Sequence, residues 1–395
     1  MGAKKADYFR IFFEASEAVL SSRTLQEVLN LLVRRSVHAV GAKAGSLRLV
    51  DEKSNRLELV ASHLLSRRYL AKGTPHLDRS IPEVMERVPV FIADAWSDPR
   101  VEFPEEKRAE GLRTVLSVPV VAKERVIGVL RLYTAEPREY LPEEIEFVSA
   151  LAEMGGLAIA NARVYEEQGV KLSSLLEGIG VHLPASGPMG KRRFRTFAVQ
   201  PVPPEKSLEQ FRALHSATRA ILATLNSSEA TALILEEVLK LTGVKGGSIR
   251  LVNETSGQLD LVASRGLSEA YLRKGPLHSD RSIQEALTGI PVLIRDAQTD
   301  PRVEYPQAAA REGIVSLLTI PIVARERVIG ILRLYASEPV DYSQGDVAFL
   351  SALAEVAGIA LMNARLYERT QYDLSFWQTT VEYLGAGGTG GKAGV

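Results

Sequence analysis

The chain of 395 residues contains no cysteine. This absence excludes disulfides, thiolate catalysis, thiolate-ligated metals and thioether-linked chromophores. The charge is also balanced, with 48 Lys and Arg against 48 Asp and Glu. A protein without net charge has no overall field that draws it to nucleic acid or to an anionic membrane. Nucleic acid is therefore an unlikely partner, and any ligand charge must be met locally.

Long uncharged apolar runs are missing as well. No window reaches the ~18 such residues that a membrane span needs. The apolar stretch after Lys4 and Lys5 is interrupted by Asp7, Arg10 and Glu14, which is not the pattern of a signal peptide. We expect a cytoplasmic protein with no membrane partner.

A tandem repeat is the main feature that is present. Val118–Tyr133 returns as Ile320–Tyr335, a shift of 202 positions (320 − 118), and the same shift pairs Gly45–Val50 with Gly247–Val252. Residues 45–166 and 247–368 align without gaps and are identical at 66 of 122 positions. A period of this length is a duplicated domain and not a solenoid unit.

The repeat predicts four segments: a first domain over 8–170, a linker over 171–206, a second domain over 207–370, and a helix extension with a Gly-rich tail over 371–395. The basic run 191–195 in the linker could contact nucleic acid or anionic lipid, but its composition favours a solvated connector.

Local patterns predict the elements of each module. Thr24 with Glu27, and Asn226 with Glu229, have the spacing of a helix cap. Alternating apolar residues predict strands over 46–50, 56–61 and 89–92, then a strand pair around the turn 122–125, with a helix opening at Pro104 between them. An Ala- and Gly-rich helix over 143–175 closes the module and is a candidate dimer seam.

In this order the motifs resemble the GAF domain family. The resemblance is carried by 89–94, Asp98–Arg100, 117–120, 126–130 and a set on the closing helix, and most of these positions recur 202 residues later. It implies an α+β fold: two modules, each with a six-stranded antiparallel sheet covered by helices on one face and by a ligand-enclosing segment on the other. It also implies a sensory or regulatory role in signal transduction, usually as a dimer ahead of an output domain.

The known ligand classes of the family fit poorly. The Asn-Lys of cyclic-nucleotide GAF domains is replaced here by Thr134-Ala135 and Ala336-Ser337, and bilin attachment usually needs a cysteine. The cofactor is left unknown, and we expect no metal. The glycine-rich 385–390 lacks the strand–turn–helix context of a dinucleotide site.

Candidate ligand-binding residues follow from strand periodicity. Along these strands, arginine and tyrosine alternate with leucine, so the two sets point to opposite faces of the sheet. If the leucines face the terminal helices, the arginines and tyrosines face the ligand. A buried guanidinium needs a partner, which is either a bound carboxylate or phosphate or, more commonly, an internal carboxylate such as Asp94, Asp78 or Glu102. The motif His-x-Asp-Arg-Ser occurs in both modules and is either a lid over the pocket or a helix start. The predicted site residues are Arg48, His76, Arg79, Asp94, Arg131 and Tyr133, with Arg250, His278, Arg281, Asp296, Arg333 and Tyr335 in the second module.

No nucleophile, acid–base pair or metal cluster is spaced for catalysis, so we expect no enzyme. The expected function is that of a small-molecule sensor that lacks an output domain and acts through a separate protein such as a kinase. We also expect it to be a homodimer. The alternative is a dimerisation or protein-interaction scaffold that binds no ligand.

Overall fold

A computed structural model describes residues 7–21, 24–51, 53–54, 56–76, 82–122, 125–178, 204–222, 226–253, 255–275, 281–324 and 327–387. The described residues divide into two compact units. The first contains those up to 160, those of 199–223 and those of 344–356; the second contains the remainder.

The first module begins with two helices and continues as alternating strands and short helices, closed by one long helix. Its elements are α1 (Tyr8–Ser21), α2 (Leu25–Ala39), β1 (Ala44–Asp51), β2 (Arg56–His63), α3 (Arg67–Leu70), a 3₁₀ helix (Pro82–Glu86), β3 (Val90–Ile92), α4 (Pro104–Glu110), β4 (Thr114–Ala122), β5 (Arg125–Thr134) and α5 (Pro142–Gly178).

The second module repeats this order. Its elements are α6 (Pro204–Leu222), α7 (Ser227–Thr242), β6 (Gly246–Val252), β7 (Leu259–Arg265), α8 (Glu269–Leu272), α9 (Arg281–Leu287), β8 (Val292–Ile294), α10 (Pro306–Glu312), β9 (Ser316–Ala324), β10 (Arg327–Ala336) and α11 (Gln344–Gly387).

Each sheet is antiparallel, with the strand orders β2-β1-β5-β4-β3 and β7-β6-β10-β9-β8. The α+β class with antiparallel sheets is confirmed, but each sheet of the described residues has five strands and not the six that the resemblance implied. The central pairing β1–β5 sets Ser46 opposite Arg131 and Arg48 opposite Val129. Arg48 and Arg131 therefore come from neighbouring strands in the middle of the sheet.

The predicted helix caps are confirmed. The hydroxyl of Thr24 accepts a hydrogen bond from the backbone amide of Glu27 at 3.3 Å, and the side chain of Asn226 accepts from Glu229 at 2.9 Å. The Asp98–Arg100 segment is a turn in which both the amide and the guanidinium of Arg100 donate to Asp98.

The leucine face of the first sheet packs against the terminal helices, as predicted. Leu47, Leu130 and Leu132 share one core with residues of α2 and with Val148 and Ala152 of α5. Gly156 brings α5 against β4: a Cβ atom there would lie 2.0 Å from the carbonyl oxygen of Val121. The opposite sheet face is covered by the segments between β2 and β4: Val129 and Tyr133 share a second core with Tyr69 of α3, Val84 of the 3₁₀ helix and Leu112, which follows α4.

Helix α6 precedes the second sheet in sequence but belongs to the first unit. Phe211 packs with Phe12 of α1 and Phe147 of α5, with ring centroids 5.2 Å apart in both pairs. Arg212 forms two hydrogen bonds of 2.7 Å with Glu146 of α5. The predicted seam on α5 is therefore packed, over this part of the helix, against a helix of the same chain.

The predicted domain boundaries at 170 and 370 fall inside α5 and α11, and 179–203 of the predicted linker, with the basic run, lie outside the described residues. Gln344–Arg369 of α11 is the one stretch among the described residues long and apolar enough to cross a membrane, with a mean hydropathy of 1.8. Yet 71% of that window is buried within the protein, as in the core helix of a globular domain.

Candidate functional site

The covered face of the first sheet brings together three of the predicted residues. Arg48 of β1 and Arg131 and Tyr133 of β5 are 4%, 5% and 2% exposed. Strand alternation places all three opposite the leucine face, as the periodicity predicts. Their role in binding stays a prediction.

Tyr133 anchors a stack of side chains on this face. Its hydroxyl lies 3.1 Å from the Ser46 hydroxyl, and its ring meets the ring of Tyr69 edge-on with centroids 6.2 Å apart. The ammonium group of Lys72 lies 3.6 Å from the centroid of the Tyr69 ring, where the cation faces the electron-rich ring. Burial is the main reason that the pKa of Tyr69 is raised.

The second module repeats this stack closely. The hydroxyls of Tyr335 and Ser248 are 3.0 Å apart, the rings of Tyr335 and Tyr271 are 5.7 Å apart, and Lys274 lies 3.4 Å from the Tyr271 ring centroid. The same contacts in both modules indicate a structural unit on which the covering segment rests.

Two arginines of the covered face, one in each module, donate to backbone carbonyls. Arg48 donates to the carbonyl of Leu57 at 3.0 Å, and its counterpart Arg250 donates to Leu259 at 3.4 Å. Arg333 donates to the hydroxyl of the buried Ser282 at 2.7 Å. Burial is the main cause that lowers the pKa of Arg48 and of Arg250.

Two of the carboxylates offered as internal partners of these arginines are engaged elsewhere. Asp94 accepts from the amide of Trp96 at 3.1 Å and lies 3.7 Å from Arg113. Glu102 accepts from the amide of His76 at 2.9 Å and faces its ring nitrogen at 3.0 Å. The expected pairing of an arginine of the face with Asp94 or Glu102 is therefore wrong, while Asp78 lies outside the described residues.

The remaining predicted residues are scattered. His76 is directed at Glu102, Asp296 is an exposed turn residue that accepts from Gln298 and Thr299, and Arg281 is exposed at the start of α9. Arg79 and His278 lie outside the described residues. Among the described residues, the arginines and the tyrosine of the sheet are the predicted site residues that lie together in each module, and their role in binding stays a prediction.

Two buried or half-buried lysines near Arg131 were missed. Lys107 on α4 is 5% exposed, and burial, followed by repulsion from Arg131 and Lys72, lowers its pKa to about 7. Burial and repulsion from Arg48 and Arg131 lower the pKa of Lys72 to about 8. The recurrence of Tyr69-x-x-Lys72 as Tyr271-x-x-Lys274 could have identified Lys72, but Lys107 has Ala309 as its counterpart and no repeat signal.

The space beside these side chains differs between the modules. In the first, a cavity of about 10 Å³ is lined by Arg131, Lys107 and Glu102 with apolar neighbours. In the second, an open groove of about 540 Å³ runs between α8 and α10, and Tyr271 and Lys274 line it. None of the second module's predicted residues that the structure describes lines that groove.

Comparison with known proteins agrees with this architecture. The family model of the GAF domain matches residues 22–160 and 224–362. A formate hydrogenlyase transcriptional activator of Salmonella typhimurium is 23% identical over 172 residues, which are 42% of this chain and 25% of that protein. An Escherichia coli protein named as a phosphoenolpyruvate-dependent phosphotransferase system is 29% identical over 141 residues, 35% of this chain and 19% of that protein.

Among solved structures, the GAF domain of a phosphoenolpyruvate-protein phosphotransferase from Coxiella burnetii is 25% identical, with a TM-score of 0.38, and the match covers 41% of this chain and 97% of that one. The chain spans a quarter or less of the length of these curated relatives. GAF domains are sensory and regulatory domains of signalling proteins. Since the family model matches most of the described part of each module, the chain belongs to the GAF domain family and carries two copies of the domain.

Proposed function

We propose that the protein is a cytoplasmic signalling protein that binds a small molecule on the covered sheet face of at least one module. In this proposal it acts as a homodimer on a separate output protein, such as a kinase, and is not itself an enzyme. The observation that carries the proposal is the buried guanidinium of Arg48 in the middle of the first sheet, which donates to the neutral carbonyl of Leu57. A guanidinium placed among apolar strand residues is unfavourable unless something compensates its charge.

The long helices offer a route for the signal. α5 packs on the sheet through Gly156 and continues to Gly178, and α11 packs on β9 through Gly358 and continues to Gly387. A ligand that shifts the sheet would also displace the helix, because the two backbones are in close contact at these glycines. The output protein would then read the position of these helices.

Thermal-shift measurements on the full chain test the proposal. A library of charged and neutral metabolites is screened against the wild type and against Arg48→Met and Arg250→Met. The first variant removes a buried charge from the first module, the second removes a half-buried charge from the second module, and both keep an unbranched apolar side chain. We expect at least one compound to raise the Tm, and one of the two variants to lose that shift. Arg273→Ala is the control, because this arginine is exposed and pairs with Glu269 on the surface of α8.

The scaffold is the second candidate, and the small cavity of the first module favours it. Two results together would support the scaffold and contradict the sensor. No compound of the library would shift the Tm, and the Tm would rise with protein concentration, as it does for a self-associating protein.

A further inference from the structure

Three basic side chains meet in the first module where α2 packs against the end of β2. Arg34 and His38 lie one turn apart on α2, and His63 is the last residue of β2. The rings of His38 and His63 meet edge-on with centroids 5.4 Å apart. Arg34 and His38 are exposed and His63 is half-buried, so these three side chains form a basic patch that solvent can reach.

The second module shows what such a place can hold. Its residues at the aligned positions are Glu236, Lys240 and Arg265. The carboxylate of Glu236 joins the two cations, at 3.0 Å from the ammonium of Lys240 and 2.8 Å from the guanidinium of Arg265. In the first module both cations are replaced by histidines and the carboxylate by Arg34. The basic patch therefore keeps the basic groups of this trio and lacks its acid.

The groups of the basic patch repel one another when they are charged. Burial, followed by the charges of His38 and Arg34 on α2, lowers the pKa of His63, while β1, which pairs with β2, sets an uncharged glycine opposite it. Among the residues that the structure describes, Arg34 forms no ion pair, whereas Arg35 beside it pairs with Glu14 at 2.9 Å. A carboxylate placed between these groups would relieve the repulsion and favour the charged form of His63.

An exposed leucine borders the basic patch. Leu64 follows His63, is 62% exposed, and has a left-handed backbone conformation with φ of 58°. The second module has the same backbone conformation at this point, but there the residue is Gly266, with φ of 72°. The backbone of Leu64 is thus in an unfavourable conformation, and its side chain is not buried within the protein in return. A partner that covered this side chain would remove its apolar surface from water.

These features fit a protein segment better than a free small molecule. An exposed ion pair alone contributes little to binding, because water and salt screen it. A segment that carries a carboxylate and also covers Leu64 adds apolar burial to the charge contact. The trio of the second module holds the carboxylate of a side chain, which is the group that an Asp or Glu of a protein supplies.

We propose that the basic patch and Leu64 form a docking surface for an acidic segment of a separate protein. An Asp or Glu of that segment takes the place that Glu236 holds in the second module, and an apolar side chain next to it covers Leu64. The docking rests on the proposed function and deepens it, because it gives the output protein a surface and a charge. Since the carboxylate favours the charged form of His63, binding takes up protons and is tighter at pH 6 than at pH 8.

Selection of a random peptide library on the full chain at pH 6 tests the proposal, and anisotropy titration then measures the affinity of the enriched peptides. We expect these peptides to carry Asp or Glu beside an apolar residue. Arg34→Glu installs the carboxylate of the second module, which would pair with the histidines and repel the peptide, so affinity should fall about tenfold or more. Arg311→Glu, the same charge reversal at an exposed arginine of α10, is the control and should leave affinity unchanged.

Leu64→Gly gives a second test that does not depend on charge. It installs the residue of the second module, which suits a left-handed backbone, so the Tm should not fall. The peptide affinity should nevertheless fall about tenfold, because the apolar contact is lost. A loss of binding without a loss of Tm cannot be attributed to unfolding.

Several results would overturn the proposal: no enrichment of acidic peptides, affinities that Arg34→Glu and Leu64→Gly leave unchanged, or equal affinity at pH 6 and pH 8. Binding to vesicles of phosphatidylserine and phosphatidylcholine that Leu64→Gly abolishes, with no peptide bound, would make the surface a membrane contact and also overturn it. If a compound of the thermal-shift library still raises the Tm after such a result, the sensor function survives and only the docking surface is lost.

Discussion

The two modules share one sheet and differ in what covers it. The Ser–Tyr–Tyr–Lys stack recurs with distances that agree within about 0.5 Å, and both sheets have the same strand order. The helix above the sheet is different: α4 contributes the buried Lys107, and α10 contributes the buried Ala309 at that position. The modules therefore differ in the size and charge of this side chain above the same sheet.

The entry to this helix differs as well. Phe103, which precedes α4, has a left-handed backbone conformation with φ of 60°, whereas its counterpart Tyr305 has φ of −122°. A left-handed conformation at a non-glycine residue is unfavourable by about 1 kcal/mol or more. The first module therefore carries local backbone strain at the start of α4, while the second has an open groove between α8 and α10.

The largest expected effect tests the part that the modules share. Gly156→Ala places a Cβ 2.0 Å from the Val121 carbonyl oxygen, and Gly358→Ala places one 2.5 Å from that of Val323. Backbone on both sides prevents an easy shift, so each change should lower the free energy of unfolding by about 3 kcal/mol or more. Chemical denaturation of the full chain measures the loss.

Gly155→Ala is the control for this change. Its Cβ would meet only the side-chain Cδ1 of Leu32, and the counterpart in the second module is already Ala357. The Leu32 side chain must shift from a distance of 2.9 Å, but alanine favours helix over glycine by about 1 kcal/mol, so Gly155→Ala should cost much less stability than Gly156→Ala. A loss as large as that of Gly156→Ala would contradict the close approach of α5 to β4.

The next effect tests the difference between the modules. The folded-state pKa of Lys107 is about 7, below that of an exposed lysine, so the unfolded chain binds more protons between about pH 7 and 10. Stability should rise with pH across this window, and below it the full penalty of the buried charge applies. Lys107→Met should raise the free energy of unfolding at pH 6.5 by about 2 kcal/mol and flatten the pH dependence.

Denaturation curves at pH 6.5 and 9 measure this effect, each for the wild type and the variant. A gain of equal size at both pH values would show that packing, and not charge, separates Lys107 from Ala309. A loss at pH 6.5 would contradict the unfavourable burial of the ammonium.

The smallest effect concerns the hydroxyl pair of the shared stack. Tyr133→Phe and Tyr335→Phe each remove one hydrogen bond to a buried serine and should lower stability by about 1 kcal/mol. The two losses should be equal within the error of the denaturation experiment. A larger loss for Tyr133→Phe would mean that the packing of Arg48, Arg131 and Lys72 in the first module depends on this hydroxyl.

Much of the fold could be predicted because its signals are local or repeated. The caps at Thr24 and Asn226, the strand pairs and the helix at Pro104 are all encoded within a few residues. The leucine and arginine faces follow from the two-residue period of a strand. The strand number was wrong by one because it was taken from the family resemblance and not from a pattern in the chain.

The site was predicted only in part. The common face of Arg48, Arg131 and Tyr133 could be predicted because a strand fixes the direction of each side chain, while their role as a site stays a prediction. The prediction also put His76, Asp94 and Asp296 in the site, but in the structure their side chains engage local partners. Irregular segments have no period from which the direction of these side chains could be predicted. Lys107 was missed because a charged residue on a short, acidic-looking helix usually faces water.

By itself, the sequence determined that the chain is a duplicated GAF module, which strand face carries the arginines, and where the main helices begin. Only the tertiary structure decided that Lys107 is buried beside Arg131, that Glu102 pairs with His76, and that α6 packs with α1 and α5. The reason is physical: strand and helix periods act between neighbours in the chain, whereas the packing of covering segments depends on contacts between residues far apart in it.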